Sequence, residues 1–96
     1  SAGASLQTAF VRLTNAEELH RAGDSRAAVI ESFAAVDLAQ LADETIGGTS
    51  ERTELDALRT AALGRDHPLT ETDAERAITL ARVLLTRKVV SRSTPT

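Results

Sequence analysis

Apolar residues recur at helical spacing in four segments of this 96-residue chain, and short glycine- or proline-containing stretches separate the segments. No stretch alternates apolar and polar residues over a useful length, so we predict no β-sheet. Short loops between helices of this length favour antiparallel neighbours. The sequence therefore predicts an all-α fold, an up-down four-helix bundle, with helices at about 6–22, 25–46, 50–63 and 71–90. We expect residues 1–5 to be a disordered or linker start and residues 91–96 to be a frayed tail.

Local signals place the ends of the first two helices. Ser5 is a candidate N-cap for the first helix, and Gly23 is a candidate stop. Asp24 or Ser25 can cap the second helix, which we expect to end at Gly47-Gly48.

Threonine–aspartate pairs at capping-box spacing mark the starts of the last two helices. The pairs are Thr53 with Asp56 and Thr70 with Asp73. Pro68 disfavours helix in the residue before it, so we predict a loop ahead of the fourth helix.

The core must be aliphatic, because the chain has only two aromatic residues and no cysteine. Its 17 alanines and 12 leucines favour helices, and alanine-lined faces let helices approach closely. The second helix is apolar nearly all round, so we expect it to be the central one. Its predicted main apolar face consists of Val29, Ile30, Phe33, Val36 and Leu41, and alanines cover much of its opposite side.

Asp37 falls in the middle of that predicted face, and Gln40 lies at its margin. A carboxylate in an apolar environment costs several kcal/mol unless it is paired and hydrogen-bonded. Asp37 is therefore either a site carboxylate that orients an arginine or a ligand, or a paired or water-facing residue at the bundle edge. Arg82 is the first expected partner and Arg59 the second.

Charge is divided along the chain. Residues 1–75 hold 14 acids and 6 bases, whereas residues 76–96 hold five bases and no acid. The helix dipole and pairing with acids of the other helices explain part of this division. Two valines among the polar residues of the fourth helix indicate a small contact surface. The predicted binding residues are Asp37, Gln40, Arg82, Val83, Thr86, Arg87 and Val90.

Several classes of site lack their signatures. His20 and His67 lack metal-ligand spacing, and the chain shows no catalytic serine, phosphate loop or cofactor motif, so we expect no catalytic residue, no metal and no cofactor. The net charge of −3 and the lack of aromatics near the basic end argue against nucleic acid. Short apolar runs argue against membrane insertion, and no signal peptide is visible, so we expect a cytoplasmic protein. Ten arginines to one lysine indicate a GC-rich, bacterial source.

The segment from Ala22 to Asp37, which reads AGDSRAAVIESFAAVD, resembles HEPN-type helical domains. In that superfamily a small elbow leads into a long helix, and Asp37 would stand at its acidic position. The same segment is similar to a helical domain at the C-terminal end of membrane-anchored transglutaminase-like proteins. There a Thr-x-Glu-like helix start and a last helix follow, an order that Thr53-Glu54-Leu55 and Val89-Val90-Ser91 share.

The resemblance implies a helical bundle that is often dimeric and often lies beside another domain. HEPN ribonucleases carry an arginine, four to six further residues and then a histidine near the start of the last helix. Here Arg59 and His67 have seven residues between them, and Arg65 and His67 have one. The catalytic motif does not carry over, so the resemblance implies a non-catalytic relative.

Three functional hypotheses follow. The first is a non-enzymatic helical interaction or dimerisation module, with a protein partner or a second copy as its ligand. The second is a HEPN-like ribonuclease or toxin with a displaced site at Arg59, Arg65 and His67. The third is a peptide-binding helical-hairpin adaptor, which an apolar groove between the first two helices would favour.

Overall fold

Four α-helices form the described part of the chain. The computed structural model describes residues 2–64 and 68–93, with side chains for residues 3–64 and 68–87. The helices are α1 (Ala2–Arg21), α2 (Ser25–Ala42), α3 (Ser50–Leu63) and α4 (Glu71–Ser93), and a 3₁₀ helix (Glu44–Gly48) joins α2 to α3. These residues contain no strand. The predicted all-α, four-helix fold is confirmed.

Contacts between helices show that α2 and α3 run in opposite directions, and so do α1 and α4. Arg26, near the start of α2, donates a hydrogen bond of 3.0 Å to the carbonyl oxygen of Gly64, just after α3. Asp37, farther along α2, lies beside Arg52 near the start of α3. The contacts between α1 and α4 follow the same antiparallel order. This arrangement matches the up-down order expected from short connections.

The second helix lies at the centre and contacts α1, α3 and α4. Its fully buried residues are Ala28, Val29, Ser32, Ala35, Val36 and Ala39. Three of these are alanines, which let neighbouring helix backbones approach closely. The alanine side of α2 therefore faces the core.

The predicted main apolar face of α2 is wrong in part. Val29 and Val36 are buried, but Ile30 is only half-buried and Leu41 is 72% exposed. The bundle turns the small residues inward, because larger side chains there would hold α1 and α4 farther from α2. Leu41 consequently faces solvent, and Ile30 keeps part of its surface exposed on the same side while it also packs against the core.

The first helix begins earlier than expected. Helix α1 starts at Ala2, so residues 2–5 are helical where a linker start was predicted. Ser5 is half-buried inside the helix and does not cap it. Alanines in this stretch favour helix and outweigh the cost of one glycine. At the other end, Gly23 has a positive φ of 87° and ends the helix as predicted.

The second helix ends earlier than expected, at Ala42 rather than near residue 46. The carboxylate of Asp43 accepts hydrogen bonds from the backbone N–H and the hydroxyl of Thr45, at 3.1 and 2.6 Å. This local bonding competes with helix propagation and starts the 3₁₀ helix. Ile46 lies in the 3₁₀ helix, and its buried side chain is part of the core.

Side-chain caps begin the other helices. Asp24 caps α2 as predicted, since its carboxylate accepts a hydrogen bond from the backbone N–H of Ala27. Helix α3 is capped by the Thr49 hydroxyl and not by the predicted Thr53, although its bounds match the prediction.

Thr70 and Asp73 form the reciprocal bonds of the predicted capping box at the start of α4. Helix α4 continues to Ser93, so residues 91–93 are helical where a tail was predicted. The rest of that tail lies outside the described residues.

Candidate functional site

One side of α2 carries apolar side chains that the bundle covers only in part, and we call it the outer face. Its members are Ala27, Ile30, Ala34, Asp37, Leu38 and Leu41, which fall within an arc of about 100° opposite the buried residues. Asp37 and Leu41 are exposed, and the other four residues are half-buried. The outer face is therefore an apolar strip with a single charged member.

Asp37 is exposed at the surface rather than buried. Its side chain is 67% exposed, and its Oδ1 lies 3.7 Å from Nη2 of Arg52. The expected partners Arg82 and Arg59 make no ion pair with it, so both predicted pairings are wrong. The alternative of a paired, water-facing aspartate at the bundle edge matches the structure. The reason is the rotation of α2, which turns the centre of the predicted face toward solvent.

Arg52 joins α2 to α3 and is not among the residues predicted from the sequence. Its side chain is only 15% exposed. Its Nε donates a hydrogen bond of 3.1 Å to Oε1 of Gln40, and its Nη1 lies 3.9 Å from Oδ1 of Asp56. Gln40, predicted as a binding residue, therefore contacts α3. The spacing of Arg52 and Asp56, four residues apart on one helix, is the one local signal of this cluster.

The ring of Phe33 contacts two arginines of α3. The Cζ atoms of Arg52 and Arg59 lie 4.2 and 4.4 Å from the ring centroid. The two arginines are seven residues, or about two helical turns, apart on α3, so both reach the ring from the same side of that helix. Among the described residues, no carboxylate lies within ion-pair distance of Arg59. Its visible role is a cation–π contact.

The predicted contact surface on α4 is largely occupied by contacts within the chain. Every α4 arginine with a described side chain bonds to a glutamate of another helix. The pairs are Arg76–Glu54, Arg82–Glu17 and Arg87–Glu51. The Thr86 hydroxyl donates a hydrogen bond of 2.6 Å to the carbonyl oxygen of Arg82, and Val83 is half-buried. The side chain of Val90 lies outside the described residues.

An open groove of about 320 Å³ lies between α1 and α4. Its lining residues are Glu17, His20, Arg21, Glu75, Ile78, Thr79 and Arg82. His20 is half-buried there, with Nε2 3.6 Å from Oε1 of Glu75. Within residues 2–64 and 68–93, no group of three or more His, Asp or Glu side chains is placed to hold a metal ion.

The second groove concerns the peptide-adaptor hypothesis. It has a volume of about 470 Å³ and lies between α1 and α2. Asn15, Glu18 and Glu31 line it together with Leu19 and Ala22, and the peptide-adaptor hypothesis stays a prediction. The ribonuclease hypothesis involves Arg59, which stacks on Phe33. It also involves Arg65 and His67, which lie outside the described residues.

No family model matches the chain, and neither a curated protein nor a solved structure matches it. The resemblances to HEPN-type domains and to transglutaminase-linked helical domains therefore stay predictions. None of the described helices is long and apolar enough to span a membrane.

We predict that Arg52→Ala lowers the free energy of unfolding by about 1–2 kcal/mol, because it removes a partly buried hydrogen bond and a cation–π contact. Asp37→Ala should change it by less than about 0.5 kcal/mol, because its pair is exposed and long. Urea unfolding followed by far-UV circular dichroism measures both values. Equal losses in the two variants would contradict the assignment of Arg52 as the link between α2 and α3.

Two glutamates of α3 are held ionised by arginines of α4. A hydrogen bond from Arg87 keeps the pKa of Glu51 below its ordinary value of 4.5. A hydrogen bond from Arg76 does the same to the pKa of Glu54, and Glu54 in turn raises the pKa of Arg76. Because the folded chain binds protons on these carboxylates more weakly than the unfolded chain does, the pairs stabilise the fold above the ordinary pKa. That stabilisation is lost as the pH falls through the lowered pKa.

The double variant Glu51→Gln/Glu54→Gln should therefore lose less stability than the parent chain between about pH 5 and about pH 3. Urea unfolding at a series of pH values measures the difference. Glu44→Gln is the control, since Glu44 is exposed and makes no ion pair among the described residues. Parallel pH profiles for the double variant and the parent would refute the role of these pairs.

Proposed function

We propose that the chain is a non-enzymatic helical association module and that the outer face of α2 is its contact surface. The observation that carries the proposal is the orientation of α2. The helix buries its alanine side, and Ile30, Leu38 and Leu41 keep exposed surface on the opposite side, although Ile30 and Leu38 also pack against the core. A helix side on which several apolar side chains keep exposed surface, with Leu41 the most exposed of them, is a candidate interaction site.

The form of the outer face supports helix packing. Ile30, Ala34, Leu38 and Leu41 recur at three- and four-residue spacing, as in helices that pack against another helix. Small residues at Ala27 and Ala34 allow a partner helix to come close. The strip thus offers both large side chains to bury and room for a partner backbone.

Charged pairs border the strip on both sides. Arg12 of α1 contacts Glu31 at 3.0 Å along one edge, and Arg52 of α3 contacts Asp37 along the other. An apolar centre with a polar rim is the usual anatomy of a protein interface. The edges therefore favour a protein partner.

The state of the arginines supports a non-enzymatic role. The three α4 arginines with described side chains bond to glutamates of other helices, and Arg59 lies against Phe33. These guanidinium groups hold the bundle together, and binding a phosphate would require them to leave those partners. We therefore assign them to stability.

A photo-crosslinking residue tests the surface. Benzoylphenylalanine in place of Ala34, in the full chain expressed in its own cells, should give a covalent protein adduct on irradiation. The matched control replaces Thr79, which is exposed on α4. Adding Leu41→Glu to the first variant should abolish the adduct, because a charge on the strip opposes its burial.

No adduct from Ala34, or equal adducts from Ala34 and Thr79, would contradict the proposed function. Retention of the adduct in the presence of Leu41→Glu would also contradict it. Gel mobility and mass spectrometry of the adduct report all of these outcomes.

A further inference from the structure

We infer that the partner on the outer face is a second copy of this chain, whose α2 packs antiparallel to the first across a twofold axis at Ala34. The inference rests on the proposed function and names its partner. A twofold axis at Ala34 pairs each residue of one α2 with a residue of the other α2. The paired residue lies the same number of positions from Ala34, but on its other side in the sequence. The match between the two halves of the outer face supports this register.

The apolar residues of the strip are complementary in size under this symmetry. Ile30 and Leu38 each lie four residues from Ala34, so each faces the other type in the second copy. Ala27 and Leu41 each lie seven residues away, which sets a small residue opposite a large one. Ala34 at the axis faces its own copy, where a small side chain is needed for the closest approach.

Charge complementarity on the α3 side of the strip favours the same register, and Glu31, which lies as far before Ala34 as Asp37 lies after it, is on the α1 side and bonds to Arg12. Asp37 lies three residues after Ala34, with its carboxylate mostly exposed and only loosely paired. Arg59 stacks on Phe33, one residue before Ala34, and contacts no carboxylate among the described residues. The twofold axis therefore brings Asp37 to within about two residues, or roughly 3 Å along the helix, of Arg59 in the second copy.

Asp37 and Arg59 also lie on the same side of the interface. Both are at the border of α2 with α3. A twofold axis perpendicular to α2 and parallel to the interface keeps the α3 sides of the two copies together. The symmetry then forms the Asp37–Arg59 pair twice, once on each half of the dimer.

The exposed leucines add a third match. Leu63 is 57% exposed at the end of α3, beside the start of α2 where Arg26 bonds to the Gly64 carbonyl oxygen. Leu41 is 72% exposed at the opposite end of α2. Antiparallel pairing brings Leu41 of one copy to the end where Leu63 of the other lies. The two leucines thus share one end of the proposed interface.

Charge reversal tests the pairing. Asp37→Arg alone sets two positive groups together, and Arg59→Asp alone sets two negative groups together, so each should weaken self-association by roughly tenfold or more. An equimolar mixture of the two variants should regain it, because both pairs are then of opposite charge. Sedimentation equilibrium of the full chain up to about 1 mM measures each dissociation constant.

Controls separate pairing from folding. Glu75→Arg makes the same charge change as Asp37→Arg at an exposed position of α4. It should leave the dissociation constant unchanged. Circular dichroism confirms that each variant is helical, and recovery in the mixture itself requires that both variants fold. A parent chain that stays monomeric, or variants that associate as the parent does, would overturn the inference. A mixture that fails to recover would also overturn it.

The crosslinked adduct distinguishes this inference from the proposed function. A mass of twice the chain supports the second copy. An Ala34 adduct of any other mass keeps the proposed function and overturns the second copy as its partner. Absence of an adduct overturns the proposed function itself.

Discussion

Burial of the alanine side of α2 determines how the rest of the bundle is arranged. Ala28, Ala35 and Ala39 have no exposed surface. Their small side chains let the neighbouring helices pack close to α2. Because α2 carries apolar residues nearly all round, turning this side inward leaves Ile30, Leu38 and Leu41 outward. The packing that forms the core and the surface proposed for association therefore have one cause.

Ion pairs and arginine contacts hold α1, α3 and α4 together around α2. Glutamates of α1 and α3 bond to arginines of α4, and two arginines of α3 contact the ring of Phe33 on α2. Acidic and basic residues that lie far apart in the sequence thus pair with one another between helices. The basic end of the sequence, which suggested a partner surface, contributes its described arginines to the bundle.

Local features of the fold could be predicted from the sequence. Gly23 ends α1 through its backbone conformation, and the Thr70–Asp73 pair begins α4, because these effects involve only neighbouring residues. The early end of α2 was missed because Asp43 bonds to Thr45 rather than supporting another helical turn.

The candidate site could be predicted only in part. Asp37 and Gln40, which were predicted as binding residues, both lie beside Arg52, which was not predicted. Packing against three other helices determines which side of α2 faces inward. Because α2 has apolar residues on nearly all sides, its own sequence pattern does not predict that side. The contacts of Arg52 and Arg59 with Phe33 depend on the register between α2 and α3. Such a register is a property of the folded chain.

A comparison of two adjacent alanines of α2 tests whether the alanine side of this helix faces the core. Ala35 is fully buried and Ala34 is half-buried on the outer face. Ala35→Leu should lower the free energy of unfolding by about 1–3 kcal/mol, because the larger side chain forces α2 and its neighbours apart. Ala34→Leu should leave it within about 0.5 kcal/mol of the parent. Equal effects of the two substitutions, measured by urea unfolding, would contradict the orientation of α2 and the account built on it.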